Sequence, residues 1–402
     1  MKCLIFSLTI VVFGMTELSA KVGDDAFQYK IRTEIKGLAK GDTLSFKFVH
    51  FPWGDMENAF DIIVTESEGF SFSRQAYNSQ LFLMNYKPAS GKSFTTNLRG
   101  LYIFVAGEGD ILLHGDVENI YCCRKTGGVY DNTNIQALME LQNKLDIERD
   151  SFMRGYEKAA LEGDNEGMNE YAGKYNSFDI VKSDEIDKFS KMKAEFMKNE
   201  PSSPLNIIEM LQQAPYMQTD RLEEYYKSLN DNARKSFYGY MLRQEIDNLH
   251  LLSPGNDAPF FIVNTADGAQ ITTDDCTGYY VLIYQYDLSE GSLTIDNEVC
   301  SFYEENKDKL KIIGVTQDLS RIKNIYDDID PSAQTYGMNV KSVIEKMISH
   351  PWSDIESKDD NIQLLLDYAM VGYPFFVLIS PEGKIMVRGF RDAFSKVREC
   401  VR

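Results

Sequence analysis

The chain has 402 residues, 43% hydrophobic and 12% aromatic, so it can fill more than one core and is excluded from the disordered class. A formal net charge of −19 excludes nucleic acid and anionic membrane surfaces as partners, since both need clustered Lys and Arg. Beyond the N-terminus no stretch approaches the ~20 apolar residues of a membrane-spanning helix.

The first residues have the pattern of a secretory signal. Lys2 supplies the positive end, residues 4–15 the apolar stretch, and Leu18-Ser19-Ala20 a small-residue cleavage site. Removal of residues 1–20 is expected, leaving an exported protein of the periplasm or cell envelope with no transmembrane segment. Cys3 precedes the apolar stretch and is not placed for lipid attachment. Five cysteines then remain, Cys122, Cys123, Cys276, Cys300 and Cys400, an odd number that does not make a disulfide framework.

Residues 21–130 read as a β domain. Thr43-Leu44-Ser45-Phe46-Lys47-Phe48-Val49 and Phe70-Ser71-Phe72-Ser73 alternate apolar and polar side chains, the period of half-buried strands. Leu101-Tyr102-Ile103-Phe104-Val105, the Gly107 and Gly109 turn, and Ile111-Leu112-Leu113-His114-Gly115-Asp116 predict a hairpin. Strands at this spacing predict an antiparallel, all-β sandwich or partial barrel. Cys122 and Cys123 read as strand neighbours, one thiol packed inward and one facing out.

From 131 to 252 the period becomes helical. Ile135, Leu138, Met139, Leu145, Phe152 and Tyr156 fall on one stripe. Ser203 and Pro204 predict a helix start, as N-cap and first helical residue, and a further helix is expected over 233–252. Breaks are expected at 162–167 and 200–204. This segment is a helical connector whose aromatic stripes read as core.

Ser253-Pro254-Gly255-Asn256 marks the boundary to the last domain, 253–402. Strands are expected at 258–263, 279–284, 310–315 and 375–379, with a turn at Asp267-Gly268, a helix over 292–306, and a closing helix carrying Phe394, Val397 and Val401. Near-continuous apolar strands separated by helices predict a mainly parallel sheet covered on both sides. The fold class expected is therefore multidomain: a sandwich-like β domain, a helical connector and an α/β domain.

Four linked segments of the last domain carry a family resemblance. They are Asp257-Ala258-Pro259-Phe260 with Asp267-Gly268; Val281-Leu282-Ile283-Tyr284-Gln285-Tyr286; Ile313-Gly314-Val315-Thr316-Gln317-Asp318; and Tyr368-Ala369-Met370-Val371-Gly372-Tyr373-Pro374 with Ile379-Ser380-Pro381-Glu382-Gly383-Lys384-Ile385. In order and spacing they resemble the thioredoxin-like family of the exported TlpA/ResA type, within the AhpC/TSA superfamily. Ile35-Lys36-Gly37, residues 104–107, 111–116 and 126–132 resemble the small β domain of unknown function that often precedes it. The resemblance implies a thioredoxin-like fold, with Pro374 as the family's cis-proline and the backbone beside it accepting an extended peptide.

It also implies redox cysteines at positions where this chain has Glu290 and Leu293. A Cys-x-x-Cys pair works because a helix N-terminus stabilises the first thiolate. A carboxylate fits that electrostatic niche but cannot attack a disulfide. The expected function is thus a degenerate, non-catalytic thioredoxin-like protein that binds a protein or peptide partner, with Tyr373, Pro374, Tyr286 and Glu290 lining the cleft. The alternative is a thiol–disulfide oxidoreductase using relocated cysteines, Cys300 with Cys276 or Cys400. No cofactor is expected. His50, His114, His250 and His350 are scattered without metal-ligand spacing, and His350-Pro351-Trp352 reads as packing. Asp327, Asp328 and Asp330 read as a solvated turn, and the partner's identity and the oligomeric state stay open.

Overall fold

A computed structural model describes residues 26–401, apart from 50–55, 66–68, 92–98, 266–267, 333, 336–337 and 359–360. The expected signal sequence and Asp267 of the expected turn lie outside the described residues. The chain forms two compact units. One holds the residues up to Gln212 with Glu223–Arg243, the other Gln213–Leu222 with Gln244–Arg402.

The first unit begins with β1 (Phe27–Lys36), β2 (Thr43–Val49), β3 (Met56–Ile63), β4 (Gly69–Ala76), β5 (Gln80–Lys87), β6 (Leu101–Val105), β7 (Gly109–Asp116) and β8 (Arg124–Thr126). They make two four-stranded sheets, β4-β1-β7-β8 and β3-β2-β5-β6. Alternation decides which face each strand buries: in β1 it is Tyr29, Ile31, Thr33 and Ile35. The sheets meet through aromatic rings, Phe72 of one lying 5.4 Å from Phe46 and 5.6 Å from Phe60 of the other.

Two expectations fail here. The segments 101–105 and 111–116 are not a hairpin. β6 pairs with β5, whereas β7 pairs with β1 and β8, so the glycine turn passes the chain from one sheet to the other. The sandwich is also not wholly antiparallel, because β1 and β7 run parallel with Ile31 opposite Ile111 and Thr33 opposite Leu113. That register puts four buried side chains on one face, a gain a local hairpin does not offer.

Cys122 and Cys123 also depart from expectation. A 3-10 turn, Val117–Cys122, replaces the strand, so consecutive side chains no longer point to opposite faces. Both thiols are buried and unbonded, and burial pushes each pKa up to about 12. They are inert core groups.

Helices follow: α1 (Thr133–Glu162), α2 (Asn165–Val181), α3 (Ser183–Asn199), α4 (Pro204–Gln213), α5 (Thr219–Ser228), α6 (Asp231–Lys235) and α7 (Phe237–Leu251). The Asn132 side chain caps α1, accepting from the Asn134 N–H at 2.8 Å, and Gly163 ends it at φ +71°. The run expected over 233–252 is broken at Ser236, whose backbone is extended between α6 and α7.

The second unit contains the hairpin β9 (Ile262–Asn264) and β10 (Gln270–Thr272), then β11 (Tyr280–Gln285), α8 (Glu290–Asn306), β12 (Leu310–Thr316) and α9 (Leu319–Asp328). The short pair β13 (Gln334–Thr335) and β14 (Met338–Asn339) precedes α10 (Val340–Met347), β15 (Ser353–Glu356) and α11 (Ile362–Asp367). The unit ends with β16 (Phe375–Ile379), β17 (Ile385–Phe390) and α12 (Ala393–Cys400).

Its main sheet has the order β15-β12-β11-β16-β17. β15, β12 and β11 pair in parallel, while β16 runs against β11 and β17 against β16, so the pairing in the sheet is mixed rather than mainly parallel. Every residue of β16 is buried, the mark of a strand covered on both faces. Leu282 and Tyr284 of β11 pack with Leu293, Ile295 and Val299 of α8 and with Phe394 of α12 in one core.

Candidate functional site

The start of α8 is the position to which the sequence directs attention. Ser289 precedes the helix in extended backbone and Glu290, exposed to solvent, is its first residue. Asp287 gathers the loop. Its Oδ1 accepts from the Ser289 N–H at 2.9 Å and from the Ser292 hydroxyl at 3.1 Å, and its own N–H donates to Ser292 Oγ at 3.2 Å. The Ser289 and Ser292 hydroxyls lie 3.4 Å apart. Hydroxyls and a carboxylate therefore occupy the mouth of the helix, and no sulfur is among them.

Tyr373–Pro374 packs directly against this mouth. A Cβ on Gly291 would lie 2.7 Å from Pro374 Cδ, so only glycine lets the helix approach the proline ring. The Tyr373–Pro374 peptide is cis. Tyr373 is half-buried, and burial raises the pKa of its hydroxyl. Pro374 itself is buried, so beside this contact it is half-buried Tyr373 and exposed Glu290 that reach solvent.

Tyr286 does not. It is fully buried, its ring 5.3 Å from Tyr284 and 5.1 Å from His350, and it lines no cleft. It directly follows β11, which is buried on both sides, so alternation in the sequence could not show which way this ring points. Leu293 is likewise a core residue beneath α8.

Cys276, Cys300 and Cys400 are all unbonded. Cys276 ends the 3-10 turn Asp274–Cys276, where burial raises its pKa against the opposing charge of Lys311. Cys400 is half-buried at the end of α12. Cys300 has another setting. It faces a polar group that neither composition nor spacing announced.

That group lies beneath α8. Asp296 and Cys300, one turn apart on the helix, meet His350 from the loop after α10, and a donor atom of each lies within 4.8 Å of the others. His350 has a carboxylate at each ring nitrogen, with Nε2 3.1 Å from Asp296 Oδ1 and Nδ1 3.1 Å from Asp354 Oδ2. The His350 and Asp296 side chains are wholly shielded from solvent. The Tyr284 hydroxyl donates to Asp296 Oδ1 at 3.3 Å, and the Cys300 thiol donates to Asp296 Oδ2 at 3.8 Å.

Parallel pairing of β12 with β15 sets Gly314 opposite Asp354. A Cβ at 314 would collide with the Asp354 carboxylate and lie 2.9 Å from Trp352 Nε1, so glycine makes the space these groups occupy. Trp352 stacks on His350 at 4.3 Å between centroids. Burial lowers the imidazole pKa, but hydrogen bonds to Asp296, Asp354 and Cys300 outweigh it and raise the value to about 11. His350-Pro351-Trp352 is therefore more than packing. The sequence signal was two i, i+4 pairs, Asp296 with Cys300 and His350 with Asp354, and nothing in it linked one pair to the other.

A second buried ionic group stands in the same unit. Arg388 of β17 donates to the carbonyl oxygens of Tyr368, at 2.9 Å from Nε, and of Ala369. Glu245 is buried with Oε1 lacking a hydrogen-bond partner. Burial raises its pKa to about 7 although the Arg388 charge opposes the shift.

No family model matches the chain, and no curated protein matches it. Among solved structures it is similar to the thioredoxin domain of a thiol-disulfide oxidoreductase from Bacteroides vulgatus, at 23% identity and TM-score 0.28, over 37% of this chain and 99% of that one. A thiol:disulfide interchange protein from Bacteroides sp. is similar at 24% identity and TM-score 0.28, over 37% of this chain and 90% of that one. Both neighbours are thioredoxin-like domains, matched over little more than a third of this chain. Among the described residues no helix is long and apolar enough to cross a membrane.

Proposed function

We propose that this chain is an exported, non-catalytic thioredoxin-like protein that binds an extended segment of a protein partner in the cell envelope. In this reading residues 1–20 are removed and the chain divides into a β domain (21–130), a helical connector (131–252) and a thioredoxin-like domain (253–402). The partner segment lies along the face where Tyr373 and Pro374 meet the start of α8. A half-buried tyrosine offers it apolar area, and exposed Glu290 favours a basic or amide-bearing side chain.

One observation carries the reading. The helix mouth beside Pro374 holds Asp287, Ser289, Glu290 and Ser292, with a geometry suited to hydrogen bonding and no group able to exchange disulfides. The alternative, an oxidoreductase using Cys300 with Cys276 or Cys400, is separated by a redox titration. The test is run with a chelator present, and alkylated cysteines are counted by mass spectrometry across a glutathione series. The expected result is no pair cycling between about −270 and −120 mV. A reversible pair within that window overturns the non-catalytic reading. The binding half is tested on an array of extended peptides, where the Tyr373→Ala, Glu290→Lys double variant is expected to lose the peptides that the unaltered protein retains. Unchanged retention would place the binding face elsewhere.

A further inference from the structure

The Asp296–Cys300–His350 group stands apart from the peptide face, and its donor set is that of a transition-metal centre. We propose that it binds one zinc ion through His350 Nε2, Cys300 Sγ and a carboxylate oxygen of Asp296, leaving the fourth position to water.

Four observations support the assignment. The first is spacing. Tetrahedral zinc, at about 2.0–2.3 Å from N, O and S donors, needs those donors roughly 3.3–3.8 Å apart. Here Nε2 and Asp296 Oδ1 are 3.1 Å apart, Sγ and Asp296 Oδ2 3.8 Å, and all three donor atoms lie within 4.8 Å of one another. A tetrahedral ion is reached by drawing the donors together by up to roughly 1.5 Å.

The second is orientation. A metal-bound histidine usually gives its other ring N–H to a carboxylate, which fixes the tautomer and aims the free nitrogen at the metal. Asp354 stands in that place, 3.1 Å from Nδ1, and the ligating carboxylate of Asp296 is itself held by the Tyr284 hydroxyl at 3.3 Å.

The third is enclosure. Gly314 leaves the room that the Asp354 carboxylate fills, and Trp352 covers the imidazole face at 4.3 Å. Half-buried Cys300 and partly exposed Asp354 open the group toward solvent, which gives the ion a way in.

The fourth is donor chemistry. Imidazole nitrogen and thiolate sulfur bind the ion in their deprotonated forms, so any protons they carry pass to solvent on binding. Imidazole and thiolate donors also select against calcium and magnesium, which prefer all-oxygen shells.

The test uses the full chain, stripped of metal, mixed with one equivalent of zinc chloride and desalted. Elemental mass spectrometry is expected to find close to one zinc per chain. Zinc should slow alkylation of Cys300 by at least about tenfold, while half-buried Cys400 keeps its rate. Cobalt(II) should give thiolate-to-metal charge-transfer absorption that the Cys300→Ser variant lacks. Asp354→Asn, which keeps all three donors, should weaken zinc binding about 10–100-fold. Alkylation of Cys300 needs no variant, so a misfolded mutant cannot decide the matter. Cys300 alkylated equally fast with and without zinc overturns the proposal. So does a Cys300→Ser variant that folds and binds zinc as tightly as the unaltered chain.

Discussion

Helix α8 presents two polar regions that differ in almost every physical respect. At its mouth Glu290 is in water, and the surrounding hydroxyls satisfy one another and Asp287. Two turns further in, Asp296 is sealed from solvent and makes its hydrogen bonds to Tyr284, Cys300 and His350. Carboxylates six positions apart on one helix therefore have different consequences. The outer one shapes what the surface attracts, and the inner one holds a charged core group in place.

Breaking the inner region should give the largest effect. Asp296→Ala leaves the charged imidazole with Asp354 as its remaining carboxylate partner and a buried ring N–H unpaired, and the expected loss is about 3 kcal/mol in urea unfolding of metal-free protein. Gly291→Val tests the contact between the helix mouth and Pro374. Its Cβ would meet the ring at 2.7 Å, so a loss of about 1–3 kcal/mol is expected, along with loss of peptide retention.

Glu245 sharpens the contrast, being buried like Asp296 but with an oxygen left without a partner. Its folded pKa of about 7, against the ordinary 4.5, means the folded protein keeps a proton that the unfolded chain releases. Its contribution is complete below pH 4.5 and is lost as the pH rises toward 7. Glu245→Gln is expected to flatten that slope and to raise stability at pH 8 by on the order of 2 kcal/mol, read from urea midpoints at several pH values. Glu290→Ala should have the smallest effect. A surface carboxylate at a helix start contributes less than about 1 kcal/mol, so thermal unfolding should barely move while peptide retention weakens.

Much of this contrast was beyond the sequence, for identifiable reasons. A helix over 292–306, two residues short of its start at Glu290, and the strands around it could be read, because apolar runs and their periodicity are local signals. The alternation of β1 and β2 could be read for the same reason. The burial of Tyr286 could not, since a strand covered on both faces has no alternation to report. The inner group could not either. Asp296 and His350 are brought together only by the pairing of β12 with β15 and the packing of α8 above it. The false hairpin at 101–116 has a related cause. A glycine turn between two strand-like runs suits both a hairpin and a change of sheet, and the choice rests on Ile31 and Ile111, which are far apart in the chain.

That last pairing bears on how the molecule acquires its shape. Phe27–Lys36 needs two neighbours, Gly69–Ala76 on one side and Gly109–Asp116 on the other, and the second arrives only after the whole opposite sheet has been laid down. Closing so long a loop must precede the reward of the contacts it brings, so this step sets the pace of the first unit. Adjacent strands such as Phe375–Ile379 and Ile385–Phe390 can pair early. A nascent chain meanwhile holds Tyr29, Ile31 and Ile35 on a strand with an open edge, a template for wrong partners until Ile111 takes its place.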